Sequence, residues 1–188
     1  SLFRTPLGDV LPAEPTGQSI DRPFRPAVTE LGRRHPVTAE LPGDRADGEP
    51  AWGRWFHQVD VQPGRGSVVM NGADGRPLLI LDRVGEGRVA QLASDQIWLW
   101  SRGFEGGGPQ AELLRRLAHW LMKEPELEEN DLRTHVDGNR ITVERRSLEP
   151  DPRSVTLTTP SDATRTLDMQ AAPGGRTVAT VEIGRAHV

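Results

Sequence analysis

The chain has 188 residues, of which 35% are hydrophobic and 27% are charged, which is enough for one full domain and part of another. Its formal net charge of -4, with basic residues interleaved among acidic ones, argues against a nucleic-acid-binding surface. The absence of cysteine excludes disulfides, thiolate catalysis and cysteine-ligated metals.

The first 50 residues predict a connecting region rather than long helices or strands. Prolines interrupt these residues repeatedly, with only short apolar pieces between them, so the region is expected to wrap a surface. It contains His35, within the run Arg34-His35-Pro36-Val37-Thr38. We keep His35 as a candidate ligand-binding residue, with ordinary loop hydrogen bonding as the alternative.

Residues 51–124 predict strands followed by an amphipathic helix. The strands are expected at residues 55–61, 67–71, 78–83 and 88–93. A Gly-Gly-Gly-Pro run then breaks the chain, and leucines recur at three- and four-residue spacing over residues 109–123. We expect this helix to pack across a mixed sheet through Leu113, Leu114, Leu117 and Leu121.

The Gly106-Gly107-Gly108 run ahead of that helix has two interpretations. Free backbone amides before a helix can bind an anion. However, neither lysine nor Ser/Thr follows the run as in a P-loop, so plain turn geometry is the alternative that we favour.

Ser94, Asp95 and Gln96 follow the last predicted strand of this region, where ligands bind in open α/β sheets. Asp95 is the leading candidate, because its carboxylate could hold a ligand; it could instead cap the next turn by accepting backbone hydrogen bonds. Trp98 is close by and could offer an aromatic face, with packing as the alternative. The expected ligand is a small molecule or a protein.

After Pro125 the pattern changes to short strands. Residues 132–136 and 140–145 flank the turn Asp137-Gly138-Asn139 and predict a β-hairpin. Further strands are expected at residues 154–159, 164–169 and 177–181, at the spacing of a small β-sandwich over residues 130–182 that is cut short. Residues 183–188 (IGRAHV) resemble a translated sequencing adapter, and we expect them to be an artefact.

Three stretches together resemble a known family. They are residues 85–129, the His-Pro-Val-Thr run at residues 35–38, and residues 52–59 (WGRWFHQV). They resemble the class I glutamine amidotransferase-like domain of large bacterial membrane proteins that often carry a von Willebrand factor A region. The resemblance implies an α/β fold. Residues 1–129 would be the C-terminal part of a flavodoxin-like domain, followed by an incomplete Ig-like β-sandwich.

The same resemblance implies a setting. The chain would be the soluble portion of a bacterial inner-membrane protein, on either side of the membrane, with other domains of that protein as partners. Enzymes of this family use a Cys-His-Glu catalytic triad. This chain has no cysteine, and it has no His-x-Glu pair at the corresponding strand end, residues 94–96.

We therefore expect a pseudoenzyme, that is, a non-catalytic ligand-binding or assembly module. It would have no catalytic residue, metal, cofactor or nucleic-acid partner, and its candidate ligand-binding residues are Ser94, Asp95, Gln96, His35 and Trp98. The alternative is a hydrolase or amidotransferase relative whose nucleophile lies upstream of residue 1 and works with Asp95 or His35.

Overall fold

The structure is a computed structural model that describes residues 5–45, 47–149, 154–158 and 162–182. Its strands are β1 (Ala13–Ile20), β2 (Ala27–Val28), β3 (Gln58–Pro63), β4 (Ser67–Asn71), β5 (Pro77–Val84), β6 (Gly87–Leu92), β7 (Asp131–Asp137), β8 (Arg140–Arg146), β9 (Ser154–Thr158), β10 (Thr164–Asp168), β11 (Gln170–Ala172) and β12 (Arg176–Glu182). Its α-helices within these residues are α1 (Trp98–Ser101) and α2 (Gln110–Leu121). The chain divides into two compact units, with the boundary between Glu128 and Glu129.

The first unit contains two antiparallel sheets. One has the order β2-β4-β5-β6, and the other pairs β1 with β3. The central strand β5 is a nearly continuous apolar run that is buried on both faces. Leu79 and Leu81 belong to the main core, whereas Ile80 belongs to a smaller cluster with Ala13, Val61 and Ala93.

Tryptophans form the centre of the main core. The ring of Trp100 lies 5.2 Å from that of Trp52 and 4.8 Å from that of Trp55, measured between centroids. The indole N–H of Trp100 donates to the carbonyl of Gly53 at 2.9 Å, so its polar edge is bonded inside the core. These contacts join residues 52–55 to the segment that leads into α2.

Helix α2 has two apolar faces, and only one of them is buried. Leu113 and Trp120 are each 1% exposed, and Leu117 packs half-buried against the core. Leu114 and Leu121 are 44% and 42% exposed. The prediction that Leu114 and Leu121 pack on the sheet is therefore wrong.

The glycine run before α2 forms a close-packed turn. A Cβ on Gly108 would lie 2.4 Å from the Trp100 ring, so only glycine fits there. The amides of Gly106 and Gly107 donate to the carbonyls of Gly103 and Phe104. The turn interpretation is thus confirmed, because these two amides are already used within the turn.

An ion pair fixes the same turn to the strand-rich part of the unit. The guanidinium of Arg54 donates to both carboxylate oxygens of Glu105, with the shortest distance 2.5 Å, and the Arg54 amide donates to the same group at 3.2 Å. The Arg54 hydrogen bonds lower the pKa of Glu105 to about 2.

This lowered pKa predicts how the first unit responds to acid. Because the folded pKa of Glu105 lies below its ordinary value of 4.5, the ionised form stabilises the fold above pH 4.5, and this contribution is lost as the pH falls towards 2. Glu105→Gln should therefore flatten the loss of stability between pH 4.5 and 2. Urea unfolding at several pH values, followed by tryptophan fluorescence, measures this slope. The exposed Glu86→Gln is the control and should leave the slope unchanged; equal slopes for all three proteins would contradict the prediction.

The second unit consists of strands. A four-stranded antiparallel sheet has the order β11-β12-β8-β7, and β9 pairs with β10 as a separate antiparallel hairpin. Val143, Met169 and Ala179 form its buried cluster, against which Val155 and Leu167 of the hairpin pack. This sandwich-like arrangement fits the predicted β-sandwich character. The predicted artefact at residues 183–188 lies outside the described residues.

The expected flavodoxin-like α/β fold is wrong. Every strand pair in the described residues is antiparallel, and their α-helices are one of four residues and one of twelve. A doubly wound domain needs parallel strands whose crossover helices cover both sheet faces. Residues 1–129 therefore do not form a class I glutamine amidotransferase-like domain. Among the described residues, no helix is long and apolar enough to cross a membrane.

Candidate functional site

An open groove of about 450 Å³ lies between β3 and the end of β6, and we call it the β3–β6 groove. Its floor is apolar, with contributions from Val59, Val61 and Ala93. Its polar rim comprises His57, Ser94 and Asp95. The groove therefore includes two of the three residues of the predicted strand-end loop.

Strand alternation builds one wall of the groove. Residues 57, 59 and 61 point to one face because side chains alternate along an extended chain. The Val59 amide donates to the Ala93 carbonyl at 2.8 Å, and the Ala93 amide donates to Leu78 at 2.8 Å, which places the strand-end loop beside β3. Val59 remains 37% exposed, so apolar surface is accessible in the groove.

Ser94 and Gln96 hold the strand-end loop in position. The Ser94 hydroxyl donates to the main-chain carbonyl of His57 at 2.6 Å and accepts the Gln96 amide at 3.2 Å. The side-chain oxygen of Gln96 accepts the Phe56 amide at 2.6 Å. These groups are bonded within the protein, so their direct role is to shape the loop.

Asp95 differs from its two neighbours. Its side chain is exposed on the groove rim, and it makes no hydrogen bond or ion pair with the residues that the structure describes. The alternative capping role is not observed, since Ile97 occupies the N-cap of α1 and no side chain caps it. The Asp95 carboxylate is therefore available to a ligand.

His57 joins the groove from a distant part of the sequence. Its Nδ1 lies 2.6 Å from Oδ1 of Asp21, and this hydrogen bond, followed by one from Ser19, lowers the pKa of the Asp21 carboxyl. The sequence does not single out His57, because its spacing from the other histidines does not bring them together by local geometry. The alternation of residues 57, 59 and 61 was the signal that could have placed it on the face of Val59.

The Asp21–His57 pair does not form a nucleophile–base arrangement with Ser94. The Ser94 hydroxyl donates to the main chain of His57 and not to its imidazole. Nucleophilic catalysis requires the nucleophile to be hydrogen-bonded to its base. The described residues also contain no group of three or more His, Cys, Asp or Glu side chains that could bind a metal ion.

The structure places His35 and Trp98 away from the groove lining. His35 is 1% exposed, its ring lies 5.8 Å from that of Trp120, and its Nδ1 accepts the Val37 amide at 3.2 Å. It is therefore a core residue beside α2. Trp98 is 52% exposed at the start of α1.

Comparison with known proteins does not assign a family. No protein-family profile matches the chain, and no curated protein matches it. A β-galactosidase from Rahnella sp. R3 is similar over 96% of this chain and 25% of its own, with 18% identity and a TM-score of 0.42. A β-galactosidase from Bacillus circulans sp. alkalophilus is similar over 93% of this chain and 25% of its own, with 12% identity and a TM-score of 0.34.

The chain thus spans about a quarter of the length of these two structures, and similarity at this level supports no argument about activity. The antiparallel pairing of all described strands in the first unit makes the class I glutamine amidotransferase-like resemblance of the sequence wrong for this chain.

Proposed function

We propose that the first unit is a non-catalytic binding module that receives its ligand in the β3–β6 groove. The observation that supports this most directly is the exposed Asp95 carboxylate, which has no partner among the described residues and lies beside the apolar surface of Val59 and Ala93. A volume of about 450 Å³ lies within the range of small-molecule sites.

The groove favours a ligand with an apolar body and a positively charged group. The apolar body would cover Val59, whose exposed surface gains free energy when water is removed. The charged group would reach Asp95, which accepts hydrogen bonds and attracts a cation. A protein segment with an aliphatic or aromatic side chain next to lysine or arginine has the same chemistry.

The bonded state of Ser94 supports the non-catalytic part of the proposal. A Ser-His hydrolase built on Ser94 would need the Ser94 hydroxyl to donate to the imidazole of His57, and this hydroxyl donates to the main-chain carbonyl of His57 instead. The membrane-anchored bacterial setting expected from the sequence stays a proposal, as do other domains of the same protein as partners.

Asp95→Asn tests the proposed site. Phenethylamine is a suitable probe because it combines an aromatic ring with an ammonium group, and 2-phenylethanol is its uncharged counterpart. We expect phenethylamine to shift the amide NMR signals around Val59 and Asp95, and Asp95→Asn to weaken its binding about two- to five-fold, as for an exposed ion pair. The melting temperature should stay within about 1 °C, because the side chain is exposed.

Two comparisons make this test specific. Asp47→Asn removes an exposed carboxylate elsewhere in the same unit and should leave probe binding unchanged. Binding of 2-phenylethanol should not distinguish wild type from Asp95→Asn. If phenethylamine binds both proteins equally, or binds elsewhere, the proposal fails. A large loss of thermal stability in Asp95→Asn would instead assign Asp95 a structural role.

A further inference from the structure

The outer edge of β7 lacks several of the features that usually protect an exposed edge strand from pairing. β7 ends the order β11-β12-β8-β7, so one side pairs with β8 over seven residues and no described strand pairs with the other. The pairing with β8 shows no register shift. The strand contains no proline or lysine. Bulges, prolines and charged side chains, lysine especially, are the usual means of preventing edge-to-edge pairing; β7 has no bulge, proline or lysine, and its charges are those of Asp131, Arg133 and Asp137.

β7 also exposes apolar side chains on the face that forms the core. Thr134 lies opposite Val143, which is 2% exposed, so Leu132, Thr134 and Val136 share the face of Val143. Yet Leu132 and Val136 are 57% and 58% exposed. Val155 and Leu167 of the β9–β10 hairpin pack on the cluster around Val143, and this leaves the β7 end of the face open.

The sequence of β7 is self-complementary in one antiparallel register. If a two-fold axis passes through Thr134, Leu132 lies opposite Val136 of the second copy, and Val136 lies opposite Leu132 of the second copy. Each exposed apolar side chain then contacts an apolar partner. On the other face, Arg133 lies opposite His135 of the second copy and diagonal to both Asp137 and Arg133 of that copy, so one diagonal contact is attractive and the other is repulsive.

We propose that two copies of this chain associate through their β7 strands in this register, which joins two four-stranded sheets into one continuous sheet. A closed two-fold interface satisfies the outer backbone groups of both strands at once. Asp131 lies opposite Asp137 of the second copy at each end, and this like-charge pair opposes association. Two seven-residue strands form a small interface, so the dimer is weak, with a dissociation constant on the order of 10–100 µM.

Cysteine cross-linking tests the register, because the chain has no cysteine of its own. Thr134→Cys places two thiols opposite each other across the axis, within reach of a disulfide. Asp137→Cys is the matched control in the same strand: its two thiols would be about 20 Å apart, at about 3.4 Å per residue. Mild oxidation should therefore give a covalent dimer at least ten-fold faster with Thr134→Cys. Equal rates for the two variants would overturn the proposed register.

Sedimentation equilibrium tests the interface without cysteine. Val136→Lys places charges against the partner strand and should give a monomer at about 200 µM, where the wild type is largely dimeric. Leu114→Lys changes an exposed leucine of α2 and should leave the dimer intact. Circular dichroism checks that both variants fold, and Leu132→Lys provides a second variant at the same interface. The proposal would be overturned if the wild type were monomeric. It would also be overturned if Leu114→Lys abolished the dimer while Val136→Lys and Leu132→Lys kept it.

Discussion

Leu113→Asp should strongly destabilise the first unit, whereas Leu114→Asp should leave its stability nearly unchanged. Leu113 is 1% exposed within the main core, so an aspartate there would be buried without a partner and would cost about 4 kcal/mol or more. Because a whole domain is stabilised by about 5–15 kcal/mol, this loss is a large fraction of the total. Leu114 is 44% exposed, so its replacement should cost about 1 kcal/mol or less.

Urea unfolding followed by tryptophan fluorescence separates these two outcomes. Trp52, Trp55, Trp100 and Trp120 are all buried, so their emission reports the core of the first unit. The two variants make the same chemical change at adjacent positions, which cancels the effects of helix propensity and net charge. Similar losses of stability in both variants would show that α2 does not pack as described.

Local patterns in the sequence were sufficient to locate several elements. Strands expected at residues 67–71, 78–83 and 88–93 correspond to β4, β5 and β6. Short strands bounded by glycine turns depend mainly on residues close in sequence, and such patterns are readable without a structure. The hairpin around Gly138 was predicted for the same reason and is confirmed.

Contacts between distant residues explain what the sequence did not show. β1 contains Pro15 and Gly17, which weaken any strand pattern, and it exists because it pairs with β3 some forty residues later, with a register irregularity between Pro15 and Ser19. The strands of the first unit turned out to be antiparallel, and nothing in the periodicity distinguishes that arrangement from a mixed sheet. The expected α/β class came from the family resemblance, and the antiparallel pairing of the described strands contradicts it.

The leucines of α2 illustrate the same limit. Leu113, Leu117 and Trp120 recur at three- and four-residue spacing, while Leu114 and Leu121 lie seven residues apart on a neighbouring face. Both sets fit an amphipathic helix. Only the position of the sheet decides which set is buried.

The sequence predicted the loop of the candidate site, but it did not predict which residues from other parts of the chain line the site. Residues 94–96 were expected at a strand end and do follow β6. His57 joins the site because its main-chain carbonyl accepts a hydrogen bond from the hydroxyl of Ser94, which lies 37 residues later in the sequence. His35 is buried because its proline-rich segment contributes Val37 and Leu41 to the main core. The ligand-binding roles of these residues remain predictions.

A buried arginine joins β6 to the end of α2. The Arg88 side chain is 3% exposed, and its guanidinium lies 5.1 Å from the centre of the Trp120 ring. It donates to the Trp120 carbonyl at 2.6 Å and forms an ion pair with Glu128. Arg83 binds the other oxygen of Glu128 at 2.7 Å, but its side chain is 50% exposed.

These two arginines decide the charge of Glu128. Partial burial raises the pKa of the Glu128 carboxyl, and the hydrogen bonds and charges of Arg83 and Arg88 outweigh that effect, so the net pKa is lowered. The carboxylate thus stays ionised in the folded unit, and a change that removes only its buried partner leaves a negative charge poorly compensated.

Arg88→Ala should destabilise the first unit by about 3 kcal/mol. Removing one member of a buried ion pair typically costs about 3–5 kcal/mol, and the lower value applies because Arg83 still neutralises Glu128. The Trp120 carbonyl also loses its donor, and the ring loses a cation–π contact. Arg83→Ala is the matched control on the same carboxylate and should cost about 1 kcal/mol or less, since its side chain is half exposed.

The losses in the free energy of unfolding are measured from the urea midpoints of Arg88→Ala, Arg83→Ala and the double variant. Their departure from additivity gives the coupling of the two arginines through Glu128. The double variant should lose more than the sum of the two single losses, because Glu128 then has neither partner. Adding Glu128→Gln to Arg88→Ala should recover part of the lost stability, since it removes the uncompensated charge. If Arg83→Ala proves as costly as Arg88→Ala, or if Glu128→Gln brings no recovery, burial of the guanidinium is not what joins β6 to α2.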